Sequence, residues 1–146
     1  MRLKEICALP VADICTDNSV LFLWATMPFL PQALEVVKAW GFTYKTVAFT
    51  WVKLNKKSDS LFWGCGHYTR SNAELCLLGL RGKPERRSAA VHSVIMSRVG
   101  RHSEKPAEAR IRIEKLFGSC RRLEMFARTT APGWDSWGLE LLDGQC

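Results

Sequence analysis

Residues Ser19–Ala25 (SVLFLWA) run for seven positions without a charge. A continuous apolar run of strand length is the pattern of a strand covered on both faces, as in a parallel sheet, and not of one with a wet side. The next segment has helical period. Pro28 or Pro31 suits a first turn, Leu30, Leu34, Val37 and Trp40 recur at spacings of four, three and three, and Gly41 stands where a helix stops. Tyr44–Lys53 (YKTVAFTWVK) then turns β-branched and aromatic, a second strand with a bulge or bend expected inside it. The opening third therefore reads strand, helix, strand.

Residues 54–71 (LNKKSDSLFWGCGHYTRS) are polar and Gly-rich and longer than an ordinary connection, which marks a mobile or functional loop. Glu74–Leu80 (ELCLLGL) resumes a buried strand that the turn Arg81-Gly82-Lys83-Pro84 ends, and Ser93–Met96 is a further short strand. A second helix starts with Pro106 in its first turn, carries Ala109, Ile113 and Leu116 on one face and a Glu108–Arg112 pair, and stops at Gly118. Arg122–Arg128 (RLEMFAR) and Trp134–Leu142 complete the strands. Strands separated by long crossovers predict one α/β domain over residues 1–146 with a mostly parallel sheet. Such sheets bind ligands outside the carboxyl ends of their strands. That directs attention to Trp24-Ala25, Trp51–Lys53, Ala127-Arg128 and the neighbourhood of Glu140.

Composition narrows the partners. With 47% hydrophobic and 24% charged residues the chain can bury a core and is not a disordered tail. Lys and Arg number 21 against 14 acids, and the formal net charge of +7 favours a polyanion, nucleic acid before others. The apolar run Val20–Leu30 is broken by Thr26 and Pro28 and falls short of the roughly 20 residues a spanning helix needs. The start, Met1–Glu5, lacks the apolar stretch of a secretory signal. Six cysteines without a CxxC pair, most within apolar stretches, read as free thiols of a reduced cytoplasmic protein. Cys65, His67 and Cys76 have no recognised zinc spacing, and Cys76 belongs to a core strand.

Several segments carry candidate chemistry. Arg101-His102-Ser103-Glu104-Lys105-Pro106 leads into a helix start, where N–H groups and side-chain donors suit an anion, although Ser103 also fits a plain helix cap. The strand ending at Arg128 is followed by Thr129 and Thr130, and Glu124 within it needs a partner if buried, Arg122 or Arg128 being the nearest in sequence. Glu140 suits ribose hydroxyls. Phe62–Asn72 (FWGCGHYTRSN) combines glycines, aromatics and Arg70, a surface on which a base stacks while the guanidinium meets phosphate. Each of these also has an ordinary structural reading as a cap, a solvated face or an anchored loop.

Taken in order, LFLWAT (21–26), AWGF (39–42), TWVK (50–53), GCGHYTRSNAELCLLGLRGKP (64–84), RHSEKP (101–106), LEMFAR (123–128) and GWDSWG (133–138) resemble the messenger-RNA adenine methylase family, MT-A, in a form more bacterial or phage-like than eukaryotic. The resemblance implies a Rossmann-like S-adenosylmethionine-dependent methyltransferase acting on the exocyclic amine of adenine in DNA or RNA. It assigns Arg128, Thr130, Leu139 and Glu140, with His102, Ser103 and Lys105, to the cofactor pocket. Asn72 and Glu74 match the family's Asn-x-Glu near the substrate, and Lys53, His67 and Arg70 fall in or beside the loop that covers or recognises the target.

One departure stands out. The family's catalytic Asp-Pro-Pro-Trp, which binds the target amine, occurs nowhere in the chain, so no catalytic residue is assigned. Met1–Val11 resembles a piece that lies just after that motif, and the expectation is an N-terminally truncated member lacking a central strand. Such a chain alone has negligible turnover, because positioning supplies much of the rate of a methyl transfer. An exposed sheet edge would favour homo- or hetero-oligomers. The competing reading is a catalytically dead module that binds nucleic acid or supports a partner.

Overall fold

Two short helices, α1 (Leu3–Ala8) and α2 (Val11–Ile14), lead into β1 (Ser19–Ala25), whose bounds are those of the apolar run. The computed structural model describes residues 1–101, 104–139 and 141. Both prolines after β1 are used: Pro28 in a single 3-10 turn, Met27–Phe29, and Pro31 in the first turn of α3 (Leu30–Ala39). Gly41, at φ 84°, follows the helix at its expected stop. β2 (Thr43–Leu54) contains the anticipated irregularity, as register shifts between Tyr44 and Thr46 and between Val47 and Phe49.

The sheet is mixed, which corrects the mostly parallel expectation. β3 (Ala73–Arg81) lies between β1 and β2 and runs antiparallel to both, while β4 (Val94–Arg98) pairs parallel to β2, giving the order β1-β3-β2-β4. The reason lies in the connections. The segment between β2 and β3 holds no helix, and a parallel return to a neighbouring strand needs a crossover. Only β1 to β2 has one, α3, and these two strands do run in the same direction, with β3 between them.

Side chains alternate between two covered faces. On one, Val11, Val36, Val37, Trp40 and Phe42 form a core against Leu3 and Ile6 of α1 and Leu21 and Leu23 of β1. The Trp40 indole N–H donates to the Ile6 carbonyl at 2.8 Å, tying α1 to the end of α3. On the other face Phe49, Trp51, Cys76 and Ile95 pack with Phe22 and Trp24 beneath α4 (Ala107–Phe117), which contributes Ala109, Ile113 and Leu116. Phe22 stacks on Phe49 at 5.9 Å between centroids and meets Phe117 edge-on at 6.1 Å. β1 is thus covered on both faces as its sequence requires, but most of it is only half-buried, because it is a margin strand of this sheet.

α4 keeps its sequence signals, with the Glu108–Arg112 ion pair at 3.2 Å and Gly118 as its stop, but Pro106 is the residue before the first turn, not inside it. The last two strands are shorter than predicted. β5 (Leu123–Met125) and β6 (Asp135–Trp137) make a separate parallel pair, and Phe126 leaves the strand with a left-handed φ of 57°. The Glu124 carboxylate pairs with Arg110 of α4 at 2.6 Å, not with Arg122 or Arg128. Helix and strand are neighbours in space, so the partner comes from the packing and not from the strand itself.

Phe49 is almost wholly buried at the centre of the α4 face. Phe49→Ala is expected to cost about 3–5 kcal/mol by urea denaturation, a loss that combines transfer and cavity terms. Met96→Ala, exposed on β4 of the same sheet, is expected to stay within about 0.5 kcal/mol.

Candidate functional site

Because β3 runs against its neighbours, its first residues lie beside the carboxyl ends of β1 and β2. Glu74 sits opposite Trp51 in the β2–β3 register, and Cys76 sits opposite Trp24 in the β1–β3 register. Alternation puts Glu74 and Cys76 on one face, and Trp51 and Lys53 likewise. Glu74 is 5% exposed. An isolated ion at that depth is costly, and two cations answer it. Lys105 Nζ donates to Oε1 at 2.6 Å, and Lys53 Nζ lies 3.5 Å from Oε2.

Aromatic walls complete the cluster. Lys53 Nζ is 5.1 Å from the Trp51 ring centroid and Lys105 Nζ is 5.7 Å from that of Trp24, both within cation–π range. The two indoles meet edge to face at 6.2 Å, and the Trp51 N–H donates to the Ser97 carbonyl at 3.0 Å. Two ammonium groups against one carboxylate leave an excess of positive charge. Positive charge beside two indole faces suits an anionic or planar group; among the groups just described none is a ready nucleophile. Cys76, the nearest thiol along β3, is pushed up to about 12 chiefly by burial, with Lys105 opposing and Glu74 adding to the rise.

Sequence reading divided these residues between a cofactor set and a substrate set, whereas the structure brings Lys105 of the first and Lys53 and Glu74 of the second onto one ion-pair cluster. Asn72 joins through its backbone, its carbonyl accepting from the Lys53 N–H at 2.8 Å. His67 and Arg70 lie on the exposed loop between β2 and β3. Arg128 and Thr130 are exposed just beyond β5, and Leu139 is 85% exposed beyond β6. His102, Ser103 and Glu140 lie outside the described residues. A cavity of about 130 Å³ beside Lys105 is lined by Ser97, Arg98, Gly100, Glu104, Lys105, Pro106 and Ala107.

Trp24 and Trp51 were visible in the sequence as strand-end residues, but not as seats for the two lysines. The Arg98–Asp59 ion pair at 2.9 Å, which ties the loop to the end of β4, had no sequence signal, since its members are far apart in the chain.

The fold and site define an α/β protein that offers a cationic, indole-walled site at the carboxyl edge of its parallel-running strands. The MT-A70 family profile matches residues 1–140, and the chain belongs to that family. It is 38% identical over 147 aligned positions to "Type II methyltransferase M.MunI" of Mycoplasma sp., covering 99% of this chain and 60% of that protein. It is 34% identical over 141 positions to an Arabidopsis thaliana protein named "N(6)-adenosine-methyltransferase MT-A70-like", covering 94% of this chain and 20% of that one. The human "N(6)-adenosine-methyltransferase catalytic subunit METTL3" is 30% identical over 132 positions, covering 88% of this chain and 23% of its own length. The chain therefore spans about three-fifths of the first of these relatives and about a fifth of the other two. Among the described residues no helix is long and apolar enough to cross a membrane.

The site yields two testable outcomes. Lys105→Met removes the shorter of the two contacts and is expected to destabilise the fold by about 1–3 kcal/mol, more than Lys53→Met, in paired urea titrations. Cys76 keeps its proton in the folded state where the unfolded thiol, near 9, has lost it. The stability it contributes is complete below pH 9 and is lost as pH rises from there toward about 12. Under native conditions at pH 8, Cys76 is expected to resist alkylation while the exposed Cys65 and Cys120 react, as read by peptide mass spectrometry.

Proposed function

We propose that this chain carries the cofactor-holding and target-holding parts of an S-adenosylmethionine-dependent methyltransferase that modifies the exocyclic amine of adenine in DNA or RNA. The observation that carries the reading is the Glu74–Lys105–Lys53 cluster. It sits at the strand ends on residues of the TWVK, Asn-x-Glu and RHSEKP motifs, in a chain that belongs to the MT-A70 family. The net charge of +7 supports a nucleic-acid partner.

The residues fit such a cofactor in kind. Leu139 presents an apolar side chain to solvent, the buried Ser136 Oγ of β6 has no hydrogen-bond partner among the described residues, and Arg128 and Thr130 stand exposed after β5. Arg128 and Lys105 suit the carboxylate of its amino-acid portion, Thr130 a hydroxyl, and Leu139 and Glu140 the side of its ribose; His102 and Ser103 belong to the same reading. When bound, that cofactor supplies an activated methyl group. The chain's own part is to hold and orient: Glu74 fixes Lys53 and Lys105, and the loop that leaves Lys53 and returns at Asn72 flanks the target.

The net charge of +7 also fits a second reading, a module that binds nucleic acid or supports an active partner, as a homo- or hetero-oligomer. Calorimetry with S-adenosylmethionine separates the two. Saturable binding, weakened about tenfold or more in Arg128→Ala and Glu140→Ala, is expected, together with negligible methylation of an adenine-containing oligonucleotide by the 146-residue chain. A folded chain that binds no cofactor overturns the first reading and leaves the second. Methylation by the chain alone overturns the assignment of the missing tetrapeptide as essential.

A further inference from the structure

The loop between β2 and β3 displays the two most exposed aromatic side chains among the described residues. Trp63 is 73% exposed and Tyr68 fully so, and Tyr68 holds a left-handed φ of 69°, which bulky residues seldom adopt. The Arg70 guanidinium lies 5.8 Å from the Trp63 ring centroid. With so much of the indole open, Arg70 leaves most of its surface free.

This display has a fixed frame. The Phe62 N–H donates to the Lys53 carbonyl at 2.9 Å and the Gly64 N–H to the Ser71 carbonyl at 3.2 Å, so the two arms of the loop are laced together on either side of Trp63. A Cβ at Gly64 would collide with the Ser71 carbonyl oxygen, and one at Gly66 with that of Thr69, so only glycine permits so close a backbone approach. At the base, Asn55 and Ser60 are bonded side chain to side chain at 2.7 Å, and Asp59 is held by Arg98. Lys56, Lys57 and Arg70 give the loop an excess of positive charge.

We propose that Trp63, with Arg70 beside its ring, forms a stacking platform for an unpaired nucleobase adjoining the target nucleotide, with Arg70 meeting the flanking phosphate and Tyr68 offering a second open ring on the same loop. The inference rests on the nucleic-acid reading above and adds the residues that contact the neighbour of the target. The loop starts at Lys53 and ends at Asn72, two residues from Glu74, so a base on the platform belongs to a nucleotide close to the one held at the lysine–carboxylate cluster. Indole and phenol faces stack on any base, and a cation beside them supplies the phosphate contact. Binding on such a platform favours single-stranded or locally opened nucleic acid over a closed duplex.

The test is fluorescence anisotropy of a labelled single-stranded oligonucleotide with one central adenine, using the 146-residue chain with and without S-adenosylmethionine. Trp63→Ala is expected to weaken binding about tenfold or more and Trp63→Phe much less. Circular dichroism verifies that each variant is folded. An abasic nucleotide beside the adenine is expected to weaken binding by the parent chain and to make little further difference in Trp63→Ala. Equal abasic losses in both proteins, or unchanged affinity in Trp63→Ala, overturn the platform alone. Unchanged affinity accompanied by a change in mass by light scattering assigns Trp63 to a protein contact instead. No oligonucleotide binding by the parent chain overturns both the platform and the nucleic-acid reading on which it rests.

Discussion

A carboxylate that is nearly inaccessible to water has to be met by positive charge, and Glu74 is met by two lysines from distant parts of the chain. Lys53 comes from the end of β2 and Lys105 from the approach to α4. Pairing them on Glu74 fixes where the helix begins relative to the sheet and where the β2–β3 loop departs. Replacing the three by apolar residues of similar volume is the kind of change that often leaves a fold equally stable. A buried cluster of this kind is therefore weak evidence for stability and better evidence for a site, the more so because it lies at the strand ends and retains a positive excess.

Strand direction makes the cluster possible. Were β3 parallel to its neighbours, Glu74 would sit at the opposite edge of the sheet, far from Lys53 and Trp51. Antiparallel pairing brings the beginning of β3 level with the ends of β1 and β2, and the β4–β2 register adds Ser97 and Arg98 at the same edge. The Phe22–Phe49–Phe117 contacts then press α4 onto this face. Packing and charge act on the same elements, one holding the helix along its length and the other holding the segment before its first turn.

Local signals were legible where local physics decides. The bounds of β1, Pro28 before α3 and Pro31 in its first turn, the helix stops at Gly41 and Gly118 and the Glu108–Arg112 pair follow from neighbouring residues, and the structure has them in place. Direction was not legible from apolar runs, since a strand covered on both faces reads alike whether it runs up or down. The helix-free stretch between Lys53 and Ala73 was the available signal for an antiparallel return. Arg122–Arg128 was read as a long strand because its residues favour one, but only three positions find a partner in β6. Candidate residues were found by type and place, Lys53, Glu74 and Lys105 among them. Their convergence on one carboxylate is a tertiary fact, as are the pairs Arg110–Glu124 and Arg98–Asp59.

Lys53 occupies a singular position in this arrangement. Its backbone N–H and carbonyl bind Asn72 and Phe62, the two arms of the loop, while its ammonium reaches Glu74 across the Trp51 ring. Loop and buried carboxylate are thus joined through one residue and not through a chain of surface contacts. Lys105 donates to the same carboxylate from the opposite side, next to the small cavity before α4. The segment before α4 and the start of the β2–β3 loop are thus tied to one shared acceptor, Glu74.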